Sequence, residues 1–133
     1  AAGARFIASP GLSADMVEAC RRNNVVSVVG TITPTEIMEA LRLGADVLKV
    51  FPAPSVGPSF FAEMLGPFPG VCLMAAGGMT LGNLKDYVVA GAKVVTLLAN
   101  GLDAAAYAAG DGPAITRAAL KWVDAVRAAR DGG

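Results

Sequence analysis

Lys49 stands inside Ala45-Asp46-Val47-Leu48-Lys49-Val50-Phe51-Pro52-Ala53, a strongly apolar run with strand character. Burying an unpaired ammonium is expensive. A lysine buried there would lower that cost by losing its proton, so burial predicts a depressed pKa. A neutral amine attacks carbonyl carbon, the opening step of Schiff-base catalysis. The run also fits an edge strand whose lysine keeps its head in water. By itself the segment leaves both readings open.

The rest of the composition narrows the chemistry. The chain has no histidine. That removes the commonest general base, the Ser-His and Cys-His nucleophile systems and most zinc sites. Acid–base work would fall to lysine, carboxylates, tyrosine, cysteine or water. Eleven basic residues balance eleven acidic ones, so no field steers the chain to nucleic acid or to an anionic membrane. No apolar stretch is long enough to cross a bilayer. Ala1 to Pro10 carries Arg5 and lacks a long apolar centre, so no secretory signal is expected. Cys20 and Cys72 are too few for a disulfide framework, which predicts a reducing compartment, the cytoplasm or an organelle.

The elements that must position Lys49 follow a repeating pattern. Gly3-Ala4-Arg5 precedes Phe6-Ile7-Ala8, Gly44-Ala45-Asp46 precedes Val47-Leu48-Lys49, and Gly91-Ala92-Lys93 precedes Val94 to Leu98. In each, a glycine suited to closing a helix leads into a short apolar run suited to a buried strand. Val25 to Val29 and Val71 to Ala75 complete the series. Between them lie helical patterns. Ser13 caps a helix to about Asn23. Thr33-Pro34-Thr35-Glu36 caps another, with Ile37, Met38, Ala40, Leu41 and Leu43 on one face. Ser59 opens a helix through Leu65, and Thr80 or Asn83 opens one through Ala90. Pro113 starts a long last helix, with Ile115, Leu120, Val123 and Val126 inward and Arg117, Lys121, Asp124 and Arg127 outward. Alternating strands and helices predict a parallel α/β sheet in a single domain over residues 1–133.

In such folds function gathers at the C-terminal ends of the strands. Those ends carry Ser9-Pro10-Gly11, Gly30 to Pro34, Lys49 with Phe51-Pro52-Ala53, Ala75 to Met79, and Ala99-Asn100-Gly101. Gly77-Gly78 would let backbone N–H groups approach a phosphate beside a helix N-terminus, or form an ordinary tight turn. The methionines read as core fillers, Trp122 as packing, Arg21-Arg22 as a solvated helix end, and Cys72 as a buried apolar residue.

Five blocks in order and spacing resemble the 2-keto-3-deoxy-6-phosphogluconate (KDPG) and 4-hydroxy-2-oxoglutarate (KHG) aldolases. They are Phe6-x-x-Ser9-Pro10-Gly11, Gly30-x-x-Thr33-Pro34-x-Glu36, Leu48-Lys49-x-Phe51-Pro52-Ala53, Gly66-Pro67-Phe68-Pro69, and Gly77-Gly78. The resemblance runs from about Gly3 to Arg127. It implies a (β/α)8 TIM-barrel fold, of which the last five β/α units would be present, since a closed barrel needs eight units and typically about 250 residues. It implies a homotrimeric class I aldolase that needs no metal or cofactor. Its substrate is a small 2-keto acid, cleaved to pyruvate and glyceraldehyde 3-phosphate or glyoxylate. The Schiff-base lysine matches Lys49. Substrate contacts would fall on Thr33, Phe51 and Ala76, and phosphate contacts on Gly77, Gly78 and Asn100.

Two family residues have no match here, and three matched positions depart from the family pattern. The family's acid–base glutamate and the arginine after it belong to barrel units without a counterpart here, and Glu36 lies in a predicted first helical turn. Ala76 stands where a threonine is usual, Asn100 where a serine is usual, and Val29 where a proline is usual. A second reading is therefore a non-catalytic aldolase-like domain that binds a small phosphorylated acid or serves in assembly.

Overall fold

The computed structural model describes residues 3–97 and 100–132, the side chains of Asn100 and Gly101 excepted. Five parallel strands in sequential order form one curled half-barrel sheet: β1 (Phe6–Ala8), β2 (Val26–Thr31), β3 (Val47–Val50), β4 (Leu73–Ala75) and β5 (Val94–Val95). Helices α1 (Ala14–Arg22), α2 (Pro34–Leu43), α3 (Gly57–Leu65) and α4 (Leu84–Val89) connect them. Helices α5 (Asn100–Ala109) and α6 (Gly112–Asp131) follow the last strand, α5 being broken at Asp103, whose backbone is extended and whose carboxylate accepts the Ala106 N–H.

Local chemistry explains most boundaries. The Ser13 hydroxyl accepts the Met16 N–H and opens α1. Thr33 and Glu36 form a reciprocal capping box at the start of α2, with Pro34 in the first turn, where a missing N–H costs nothing. Gly44, at φ 81°, closes α2 in the left-handed conformation that only glycine adopts without strain. Asp46 Oδ2 accepts both the N–H and the hydroxyl of Ser27 at 2.8 Å, stapling the start of β3 to β2.

The strand register then sorts side chains to two faces. Val29, Leu48 and Leu73 lie side by side, as do Val50 and Ala75 two residues on. All five are buried, in one core with Ile37 of α2, Phe61 of α3 and Leu84 and Tyr87 of α4. The Phe61 and Tyr87 rings meet edge-on at 5.5 Å. Residues one step out of phase face the other way. They are Val28 and Val47, then Gly30, Lys49, Met74 and Val94.

Several expectations need correction. The long helix begins at Gly112, capped by Asp111, and its buried residues are Trp122 and Ala129, with Ala125 and Val126 packed against the core. Leu120 and Val123, expected inward, are 53% and 43% exposed. Val126 packs inward as expected, whereas the rest of this face is made by Ala125 and Ala129, small residues that a pattern weighted to bulky side chains passes over. Helix α5, rich in alanine, went unrecognised for the same lack of bulk. Met38 is 62% exposed, so it is no core filler, and Cys72 is only half-buried. Helix α3 starts two residues before Ser59, at Gly57. Strands β4 and β5 are shorter than the apolar runs that predicted them. Trp122 packs as expected, and Arg22 pairs with Glu18 at a solvated helix end.

Candidate functional site

Lys49 is the third residue of β3, near the C-terminal end of the strand and on the face opposite the helix-covered core. It is half-buried rather than fully enclosed. Its in-register neighbours are Gly30 on β2 and Met74 on β4. Gly30 has no side chain, so one flank of the lysine is bounded by backbone. The ammonium stands over the Phe51 ring, 5.0 Å from its centroid, within cation–π range. Lys49 and Phe51 are two residues apart and emerge on the same side of the chain.

The loop after β1 forms a wall of this region. Ser9 N–H donates to Val28 O at 2.9 Å, and Gly30 N–H donates to Gly11 O at 3.3 Å. The fit is close enough that a Cβ on Gly30 would sit 1.9 Å from Pro10 O. Sequence reasoning gave Gly30 no role of its own beside Lys49. The available signal was a glycine inside a strand pattern, which marks a close backbone approach.

The turn after β4 completes the cluster. Ala76 N–H donates to Val50 O at 3.1 Å, and Ala76 O accepts from Ala53 N–H at 2.8 Å. The turn after β4 and the loop after β3, which includes a 3-10 turn at Ala53–Ser55, are thereby tied together. The Ala76 methyl is buried and offers no donor. Gly77 and Gly78 follow at φ 79° and 65°. Gly77 lies against the Phe51 ring and Gly78 against Pro54. Among the described residues, the N–H groups of Gly77 and Gly78 donate to no protein acceptor. The turn continues through Thr80, whose N–H donates to Asn83 Oδ1, and α4 opens only at Leu84. The expected helix N-terminus is therefore several residues removed from the glycine pair.

Lys49, Phe51, Ala76, Gly77 and Gly78 thus come together in one cluster. Thr33 sits at the same end of the sheet, but its hydroxyl is held in the capping box, donating to Glu36 Oε2 at 2.9 Å and accepting the Glu36 N–H. Glu36 Oε2 also accepts the Ile32 and Thr33 N–H groups at 2.8 Å. The Ile32 N–H foremost, then the Thr33 hydroxyl, holds this carboxyl below the usual glutamate value. Glu36 therefore serves as an ionised cap, in line with the sequence expectation. Asp46 is bound to Ser27 at the opposite end of β3. The Asn100 side chain, expected on phosphate, lies outside the described residues, as do Leu98 and Ala99.

Comparison with known proteins identifies the family. The family model described as KDPG and KHG aldolase matches residues 1–118. A 2-dehydro-3-deoxy-phosphogluconate aldolase of Treponema pallidum (strain Nichols) is 38% identical over 89 residues, covering 66% of this chain and 42% of that protein. A structure described as native KDPGal superposes with a TM-score of 0.83 at 27% identity, over 96% of this chain and 60% of the other. A KDPG aldolase from Legionella pneumophila, with pyruvate captured as a covalent carbinolamine, superposes with a TM-score of 0.77 at 26% identity, over 87% and 57%. The chain spans about two fifths of the length of the first curated relatives it matches. With the family model matched over most of its residues, and with homologous aldolases on both sequence and structure, the chain belongs to the KDPG and KHG aldolase family.

Proposed function

We propose that Lys49 is the Schiff-base lysine of a class I aldolase acting on KDPG or 4-hydroxy-2-oxoglutarate. The observation that carries this reading is the location of Lys49, at a strand end, on the face away from the core, with Gly30 beside it and Phe51 beneath its ammonium. The Legionella relative, which holds pyruvate as a covalent carbinolamine, lends support. In the proposed reaction the Lys49 amine adds to the C2 carbonyl of the keto acid. The carbinolamine loses water to give a protonated imine. A base removes the C4 hydroxyl proton, the C3–C4 bond breaks, and the imine nitrogen takes up the electron pair as the enamine forms. The aldehyde departs. Protonation of C3 and hydrolysis release pyruvate and regenerate the amine.

The Gly77 and Gly78 amides, which have no protein acceptor among the described residues, suit a substrate phosphate. Phe51 and the Ala76 methyl would contact the apolar part of the keto acid, Thr33 would flank it, and Asn100 would join the glycine pair on the phosphate. We read residues 1–133 as one domain that represents the C-terminal five units of an eight-unit barrel, consistent with 60% coverage of the KDPGal structure. The active form would be a homo-oligomer in the cytoplasm.

Incubation with pyruvate and borohydride, followed by intact-mass measurement, tests the central step. The expected result is one reduced pyruvate adduct, lost in Lys49→Ala. No adduct, or an adduct unchanged in Lys49→Ala, overturns the reading. One observation favours the non-catalytic alternative: Glu36 and Asp46 are both engaged elsewhere, so neither is free beside Lys49. A positioned acid–base contributes about 10²–10⁴-fold. This chain by itself should therefore form the imine yet release pyruvate from KDPG only slowly, and a coupled pyruvate assay separates the two steps.

A further inference from the structure

The glycine pair is shaped by more than its amides. The Phe51 ring is packed against the backbone of Gly77 so closely that a Cβ there would lie 3.0 Å from Cε2 and 3.1 Å from Cδ2 of the ring. The same ring carries the Lys49 ammonium at 5.0 Å from its centroid. Gly78 repeats the arrangement against Pro54, where its Cβ would meet Cγ at 2.7 Å. The Ala53 N–H to Ala76 O bond locks the two segments together. A chain of contact therefore runs from the turn after β4, through an aromatic ring, to the amine on β3. Phe51 is 41% exposed.

We propose that Gly77 is a positioning residue for Lys49: its missing Cβ admits the Phe51 ring, and the ring fixes where the ammonium stands. This rests on the reading of Lys49 as the Schiff-base amine. It is separate from phosphate binding, which uses the N–H of the glycine and not the space where a side chain would be. A cation held over an aromatic face within about 6 Å is attracted by the ring quadrupole. Displacing the ring would release the amine to other rotamers. Misplacement of a reacting group by about 1 Å can cost on the order of 10²-fold in rate.

The test uses the whole chain with its lysines reductively dimethylated with ¹³C-formaldehyde, a modification that keeps the charge. The Lys49 methyl resonance, assigned by Lys49→Arg, should lie upfield of those of Lys85, Lys93 and Lys121, because it sits over a ring. Gly77→Ala should return it toward the others, and Phe51→Leu should do so fully. The double variant should match Phe51→Leu, since without the ring the added methyl has nothing to displace. Backbone strain is controlled by Gly44→Ala and Gly70→Ala, whose positive φ is similar but whose Cβ would meet open space. Neither should move the resonance.

The unmodified variants supply a second readout. Bringing the contacts of the new Cβ with the ring out to 3.4 Å moves the ring by a few tenths of an ångström, so trapping of pyruvate with borohydride should slow by about fivefold in Gly77→Ala. Pyruvate carries no phosphate, so loss of a phosphate contact does not account for such a change. A Lys49 resonance that stays in place in Gly77→Ala, or an effect of Gly77→Ala that persists undiminished in the Phe51→Leu background, overturns the inference. If the wild-type chain gives no adduct while the resonance shifts follow the expected pattern, the Schiff-base reading fails and the packing relation stands.

Discussion

Replacing Gly30 by alanine should destabilise the chain by about 2–4 kcal/mol, and the structure supplies the reasons. The new Cβ would stand 1.9 Å from Pro10 O, 2.2 Å from Pro10 C and 2.6 Å from Gly11 N. All three are backbone atoms, so no side chain can rotate aside. Ordinary contact begins at 3.4 Å, and the loop after β1 must therefore move by roughly 1.5 Å. Forcing such a shift in a packed region costs about 1–3 kcal/mol. The shift also disrupts the Ser9 N–H to Val28 O and Gly30 N–H to Gly11 O bonds, each contributing about 1 kcal/mol net. Against this, alanine restricts the unfolded chain and recovers roughly 0.4–1 kcal/mol. The balance should appear as a lower urea midpoint at unchanged slope, and as a Tm lowered by roughly 10 °C. Gly11→Ala is the internal control, because a Cβ there meets nothing within 4 Å. It should stay within about 0.5 kcal/mol of the parent, the range of ordinary surface changes. If Gly30→Ala unfolds at the same urea concentration as Gly11→Ala, the packed loop is absent in solution and the wall beside Lys49 with it.

Three further outcomes can be checked. Thr31 is buried and its hydroxyl has no hydrogen-bond partner among the described residues, a situation that costs about 1–3 kcal/mol. Thr31→Val should raise Tm by a few degrees, and a lower Tm would reveal a partner for the hydroxyl. The Glu36 carboxyl is held below its usual value, so the folded state favours its ionised form. Its stabilising contribution is complete above the ordinary value of 4.5 and declines as pH falls through that value toward the lowered one. The parent should lose more stability than Glu36→Gln between pH 6 and about pH 3 in urea titrations; parallel curves would remove Glu36 from the acid response. Finally, β1 and β5 each pair with a single neighbouring strand among the described residues, and Phe6 and Ile7 are exposed. Unpaired parallel edges recruit other chains, so light scattering after size exclusion should report a species larger than the monomer. A compact, cooperatively melting monomer would refute this.

The sequence by itself determined what depends on near neighbours. Ser13, the Thr33–Glu36 box and Gly44 mark helix ends through contacts only a few residues apart, and all three were legible. The apolar runs announced five strands. Their alternation with helices made the sheet parallel, and this put Lys49 near a functional end. The family resemblance was legible because its motifs are short and their order survives. Tertiary structure alone decided what depends on distant partners. Nothing local to Gly30 says that Pro10 lies over it, because that contact exists only once β1 and β2 pair in one register. Likewise Gly77 reads as a turn or a phosphate loop until β4 is laid beside β3 and the Phe51 ring arrives against it. The buried face of α6 was legible at Trp122 and Val126 but not at Ala125 and Ala129, because alanines carry little hydrophobic weight in a pattern, yet are what a close helix approach requires. The chemistry of Lys49 lies between the two: its residue type and setting are local, while its ring, its backbone-bounded flank and its half-burial are set by strands that meet only in the folded sheet.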